Sequence, residues 1–259
     1  LDGRKVLKQR ILQFRIRQPD ILYLSTSGSH LSLWSISSDG GTAHPLTPSG
    51  QSVYDFAPSR DGEQVVYSTT NAQNGMDLWL VRRDGTRSRR LIDCGADQGS
   101  QPAWSPDGNH ILFYRQMAGQ SNSPALTGVW SVNSQSGDTA YLFPGSHPSI
   151  SPDGKQLVLL EPADGVIRVL DVQTGKGVEV QADTDILPAW FPDSSRMAFA
   201  RTQTDGESAR VELFQLDIKT RQATPLLATP SLQATGAEEN LDTPAISQDA
   251  QRMVIGMHG

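Results

Sequence analysis

The stretch Ser105–Arg115, SPDGNHILFYR, decides the fold. It is a tight turn running straight into an apolar strand. Pro106 presets φ near −65° at the second position of a type I turn, and Asp107 suits the third. Gly108 takes the left-handed conformation that follows. The product is a β-hairpin. The same pattern recurs as SPDGKQLVLLE from Ser151 and FPDSSRMAFAR from Phe191, and more loosely as SRDGEQVVYST from Ser59 and SQDAQRMVIGM from Ser247. One hairpin is being built again and again.

Working outward from these turns, their aspartates are Asp20, Asp61, Asp107, Asp153, Asp193 and Asp249, at intervals of 41, 46, 46, 40 and 56 residues. That spacing is close to the length of a four-stranded propeller blade, roughly 40–50 residues. Each unit carries four short strand-like pieces, here labelled A to D. In the third they are QPAW (Gln101–Trp104), ILFYR (Ile111–Arg115), GVWSV (Gly128–Val132) and TAYLF (Thr139–Phe143). All are β-branched or aromatic and bounded by turn residues. A second tight turn joins C to D, as in SSDGG from Ser37 and RRDGT from Arg82. No amphipathic helix of normal length is written. The long last interval holds ATPSLQATGAEEN, a polar insertion without strand character. The expectation is an all-β, six-bladed antiparallel β-propeller in one domain spanning residues 1–259. Its blades fall at about 11–50, 51–97, 98–145, 146–182, 183–236 and 241–259, with 1–9 as a closing strand.

The bulk properties fit. The 259 residues suit one large all-β domain; 37% are hydrophobic and 19% charged, enough to build a core and too apolar for disorder. A net charge of −6 argues against a general nucleic-acid partner. No apolar run approaches the roughly 18 residues of a spanning helix, so membrane insertion is not expected. The N-terminus LDGRKVLKQR lacks the apolar core of a signal peptide and an initiator Met, as a processed or excised piece would. Cys94 is the single cysteine, so neither an internal disulfide nor a cysteine metal cage is available.

PAWSPDG followed by a strand, then LWSI or LWLV followed by DG, resembles the TolB-type β-propeller repeat. The resemblance covers nearly the whole chain. It departs where Arg60 replaces Pro and where Ser194 and Ala250 replace Gly. The separate α/β domain that TolB carries before its propeller is not written in these 259 residues, so the resemblance is expected to reach the propeller module alone. It implies a bacterial periplasmic or extracytoplasmic location and a role as a platform for a protein or peptide partner. Similar propellers also serve as domains of prolyl-oligopeptidase-type hydrolases, or act as pectate-fragment lyases with a histidine-held metal.

Up-and-down topology places the A–B and C–D turns on one face and the B–C and D–A connections on the other. The tight turns all fall on the first face. The long connections Gln116–Thr127, Thr202–Ala209 and Ala228–Asp242 fall on the second, and variable loops on a rigid scaffold are where binding concentrates. Residues at the start of each A strand should line the channel mouth there: Tyr54, Asp55, Gln101, His147, Asp185 and Asp242. They are expected to bind a polar or peptide-like segment, against the plainer reading that they solvate a wet axis. No cofactor or metal is expected, because His147 is the one histidine so placed. No Gly-x-Ser-x-Gly elbow, His-Glu-x-x-His or phosphate loop is present. The chain is therefore expected to be a non-catalytic, monomeric scaffold or sensor module; a larger parent chain would supply any membrane association.

Three further features read as structural. The turn aspartates serve turn hydrogen bonding. Trp34, Trp79 and Trp130 share one C-strand position, and Trp104 and Trp190 one A-strand position, as packing between blades requires. Arg82, Arg83, Arg87, Arg89 and Arg90 are expected to protect an outer edge, the alternative being a dock for an acidic partner or lipid headgroup. Closure is the open point. The sixth unit supplies TPAI (Thr243–Ile246) and RMVIGM (Arg252–Met257) and then ends. The segment RKVLKQ after Asp2-Gly3 resembles a D strand, so residues 4–9 are expected to strap that blade. Either this strap takes the C position, or the natural protein continues beyond one terminus; the second is favoured, because LDG begins within a recognisable turn.

Overall fold

The computed structural model describes residues 20–27, 30–37, 41–119, 127–161, 166–181, 188–205 and 208–226, and the short pieces 232–233, 240–241, 245–246, 250, 253–254 and 257–258. The expected strap, the A strand of unit one, Asp185 and Asp242 lie outside them.

Among the described residues the chain is all-β, without a helix. β1 (Ile21–Ser27), β2 (His30–Ile36) and β3 (His44–Pro45) form an antiparallel sheet. Three four-stranded antiparallel sheets follow. The first is β4 (Val53–Pro58), β5 (Gln64–Thr70), β6 (Met76–Arg82) and β7 (Arg89–Ile92). The second is β8 (Gln98–Trp104), β9 (His110–Gln116), β10 (Gly128–Asn133) and β11 (Thr139–Phe143). The third is β12 (Ser146–Ile150), β13 (Gln156–Glu161), β14 (Val166–Asp171) and β15 (Gly177–Gln181). A parallel bridge between Met76 and Gln98 links the first two of these. The fifth unit has β16 (Ala189–Trp190), β17 (Arg196–Asp205), β18 (Ser208–Asp217) and β19 (Ala223–Pro225).

The hydrophobic pattern explains why these sheets stack. Successive strand residues point to opposite faces. In β9, Ile111 and Phe113 join a buried cluster with Val66, Leu78 and Leu80 of the preceding sheet. Leu112 between them joins Leu157 and Leu159 of the following sheet. In β5, Val65 and Tyr67 pack back on Leu33, and Val66 packs forward. A fourth cluster joins Val158 and Leu160 to Met197 and Phe199. The B strands β5, β9, β13 and β17 are thus buried on both faces, and an unbroken apolar run is what such a strand must be.

The repeated turn does the same work in three successive units. Ser59, Ser105 and Ser151 each donate a hydroxyl hydrogen bond of 2.6 Å to the aspartate two residues on. Each serine oxygen also accepts the backbone N–H five residues ahead, at 2.9–3.0 Å. Asp61, Asp107 and Asp153 then accept the N–H two residues beyond themselves. These bonds, the serine hydroxyl first among them, hold all three carboxyls below the ordinary value of 3.8. Gly62, Gly108 and Gly154 have φ of 69–74°, and Ser194 and Ala250, which stand in place of glycine, keep the same hand at 60° and 55°. The geometry survives the substitution at a steric cost of about 1 kcal/mol.

Two expectations need correction. Thr202–Ala209 is not an irregular loop. β17 and β18 pair continuously from Arg196 with Asp217 to Asp205 with Ser208, the longest B–C ladder among the described residues. The insertion after it is not devoid of strand either: β20 (Leu232–Gln233) pairs with Val211 and Arg210 of β18. Polar, threonine-rich residues form a ladder where a neighbouring strand supplies the hydrogen bonds, whatever their hydropathy.

Candidate binding face

The A strands carry one irregularity in common. Tyr54 and Asp55 stand opposite Ser68 alone, Gln101 and Pro102 opposite Phe113, and His147 and Pro148 opposite Leu159. Each is a β-bulge, the device that re-aims a side chain at a functional edge. The final unit shows the same two-register pattern. β21 (Asn240–Leu241) pairs with β24 (Met257–His258), and β22 (Ala245–Ile246) pairs with β23 (Met253–Val254). Three residues lie between the pairs on one side and two on the other. Proline follows the bulge residue twice because it has no N–H to leave unpaired.

Asp55, Gln101 and His147 stand 46 residues apart, and the structure joins them in a row across three sheets. The backbone N–H of Gln101 donates to Asp55 Oδ2 at 3.3 Å. The backbone N–H of His147 donates to Gln101 Oε1 at 2.8 Å. Gln101 Nε2 lies 2.8 Å from His147 Nε2, and Ser146 Oγ lies 2.9 Å from His147 Nδ1. At the other end, Ser68 Oγ donates to Asp55 Oδ2 at 3.3 Å and accepts the Asp55 N–H at 3.1 Å.

These contacts assign the imidazole tautomer. Gln101 Oε1 is committed to a donor, so its NH2 group faces His147, whose Nε2 must accept. The proton therefore sits on Nδ1, which donates to Ser146 Oγ, while that hydroxyl donates to the Leu160 carbonyl at 3.1 Å. Burial pushes the His147 pKa below its ordinary value of 6.5, and the nearby Asp55 carboxylate opposes this. Both ring nitrogens of His147 are thus engaged within the chain.

Gln101 and His147 also have φ of 54° and 49°. Among the described residues they are the two non-glycines of that hand inside strands. Such conformations cost on the order of 1–3 kcal/mol and persist where surrounding bonds over-determine them. Tyr54 beside the row is 49% exposed, an unusual place for a large aromatic ring. Of the six residues expected to bind, the structure brings Asp55, Gln101 and His147 into contact and places Tyr54 next to them.

The sequence alone did not point to Ser68 and Ser146, which orient the two ends of the row. Ser68 is a polar residue, fully buried, in the apolar run of β5, and that anomaly was the available signal. A second cluster stiffens the same end. Asp97 holds Arg115 at 2.7 Å, and Arg115 lies 5.3 Å from the Trp130 ring centre. Buried Asp77 accepts from Asn71 at 2.7 Å and the Cys94 N–H at 3.0 Å, and pairs with Arg90 at 3.3 Å. Cys94 lies buried beneath, its thiol pushed up to about 12 by burial, so it is inert.

At the opposite end the A–B turns interlock. Arg60, where four of the other units have proline, donates from Nη1 to the Pro152 carbonyl at 3.0 Å, two sheets away. The Asp153 N–H donates to Ser194 Oγ at 3.1 Å. The arginine cluster is likewise structural in part. Arg83 pairs with Asp20 at 2.7 Å, and Arg89 donates to the Ser134 carbonyl at 2.5 Å, each joining neighbouring sheets. The indoles do the same: Trp104 Nε1 reaches the Ala57 carbonyl at 3.0 Å, and Trp190 Nε1 that of Ser149 at 3.3 Å.

With this geometry described, comparison with known proteins defines the class. No family model matches the chain. The solved structure of a putative TolB from Agrobacterium tumefaciens superposes with a TM-score of 0.67 at 18% identity, covering 92% of this chain and 86% of that one. An oligogalacturonate lyase from Vibrio parahaemolyticus gives 0.59 at 12% identity, covering 91% and 66%. In sequence, the uncharacterized peptidase YuxL of Bacillus subtilis (strain 168) is 24% identical over 118 residues, 42% of this chain and 18% of that protein. The match thus spans under a fifth of that relative's length. The chain has a TolB-like propeller fold.

Proposed function

We propose that this chain is a six-bladed propeller module, non-catalytic and monomeric, that binds a protein or peptide segment through its loop face. The site is the row Asp55–Gln101–His147 with Tyr54, extended by Asp185 and Asp242 in the later units. The setting is the bacterial periplasm or another extracytoplasmic space. The observation that supports this reading is the row itself. Polar side chains on strained bulges of adjacent sheets, beside an exposed tyrosine, make a rigid polar surface with an aromatic anchor. Tyrosines of that kind dominate interface energies.

The donor set argues against hydrolysis or metal chemistry at the row. His147 has no ring nitrogen to spare, and the Gln101 amide is used at both ends. Among the described residues no group of three or more His, Cys, Asp or Glu side chains is placed to hold a metal. A second reading draws on the YuxL match: the chain is the propeller part of a larger hydrolase, with the reacting groups elsewhere.

The test is recovery of partners from an extract of the source organism. Wild-type protein is compared with the triple variant Asp55→Ala/His147→Ala/Asp242→Ala. Loss of a specific band with the variant is expected. Equal recovery by both proteins refutes the proposed site.

A further inference from the structure

We propose that the Gln101–His147 contact is a proton-operated switch: when the His147 imidazole takes up a second proton, the row comes apart between β8 and β12. The inference deepens the binding reading, since it assigns regulation to the same site.

The argument rests on one amide serving two partners. Gln101 accepts the His147 backbone N–H at Oε1 and offers its NH2 to His147 Nε2, both at 2.8 Å. Protonating Nε2 sets an N–H donor against an NH2 donor. Rotating the amide by half a turn presents Oε1 to the imidazolium. That same rotation takes Oε1 away from the backbone N–H and turns the NH2 group toward it. No orientation of the Gln101 amide satisfies both partners once the ring is charged. One of the two bonds between the sheets must break.

The remaining contacts do not absorb the change. Ser146 Oγ accepts from Nδ1–H in either state, so it holds the ring in place. The His147 backbone is held at φ 49°, a conformation retained only while its bonds hold it. The charged group that bears on the ring among the described residues is Asp55 of β4. β8 presents an amide and β13 the Leu160 carbonyl, and β9 and β10, which also pack on β12, add no charge to it. Asp55 favours the proton, while burial opposes it. The event therefore falls on the acid side of neutrality, where histidine is the side chain suited to switch.

The test is an NMR titration of the whole chain without a partner. Expected is one His147 titration, below the ordinary histidine value of 6.5. The backbone amides of Gln101 and His147 and the Gln101 side-chain amide should shift with the same midpoint. Gln101→Glu, nearly isosteric, provides the sign test: a carboxylate can accept from both the backbone N–H and Nε2–H. In that variant the His147 midpoint should rise by about one unit or more, a tenfold gain in proton affinity. A wild-type His147 that titrates with no response at either backbone amide overturns the proposal, as does an unmoved midpoint in Gln101→Glu. These readouts need no partner, so failure of the binding reading would show separately, in the recovery experiment.

Discussion

The turn end and the loop end of this propeller are built on opposite plans. At the turn end, Ser59, Ser105 and Ser151 occupy equal positions, are the same residue and make the same bonds within their own unit. At the loop end, Asp55, Gln101 and His147 also occupy equal positions, yet all three differ and their bonds run from one unit to the next. Repetition therefore marks what each sheet needs for itself. Its breakdown at an equivalent position marks where the sheets have been made complementary to each other.

The largest expected effect is at the loop end. A Cβ on Gly75 would lie 2.1 Å from the Gly95 carbonyl oxygen and 2.6 Å from that of Asp97. The obstacles are backbone, so Gly75→Ala should cost on the order of 3 kcal/mol. Chemical denaturation would measure it, and a cost near zero would show that this end is loosely packed.

Next comes coupling. Gln101→Ala leaves a backbone N–H and a ring nitrogen of His147 without partners, at a cost of about 2 kcal/mol. Combined with His147→Ala, the two should be non-additive by about 1 kcal/mol, since they remove the same bonds. Ser59→Ala and Ser151→Ala should each cost about 1 kcal/mol. Together they should add to within about 0.5 kcal/mol, because the bonds each serine makes stay inside its own turn and the Arg60–Pro152 bond that joins the two turns uses neither serine. Additive row variants, or coupled turn variants, would erase the distinction between the two ends.

Acid titration separates the ends by pH. The folded-state pKa of His147 lies below 6.5, so the unfolded chain binds that proton more readily. Its contribution is complete above 6.5 and is lost as pH falls from there through the folded value. The turn carboxyls, held below 3.8, contribute above that value and lose their contribution at lower pH still. Tm measured against pH should fall in two separate windows, and His147→Gln should remove the upper one. The smallest effect belongs to Arg60→Ala, about 0.5 kcal/mol, because its bond to Pro152 is exposed.

The same contrast explains what could be read from the sequence. Turns and B strands were legible because each follows a local rule: a turn code, or an apolar run buried on both faces. The candidate row was legible in part. The start of each A strand is set by topology, which singled out Asp55, Gln101 and His147 by position. Their bonding was not legible, because it depends on a one-residue bulge and on which way a single amide points. Arg60 stood out only as a departure from the repeat, and Ser68 was not singled out. The continuous β17–β18 ladder was missed because Thr202–Asp205 is polar, and a ladder depends on a partner strand rather than on hydropathy.

The central claim, that the loop face receives a polypeptide, is tested most directly by placing a photoreactive benzophenone side chain at one end or the other. Position 54 lies at the row and position 107 in a turn at the opposite end, and both native side chains are exposed. Irradiation in an extract of the source organism should give a polypeptide adduct from position 54, lost when Asp55 and His147 are replaced by alanine, and none from position 107. Adducts from position 107 alone, or equally from both, would contradict the account.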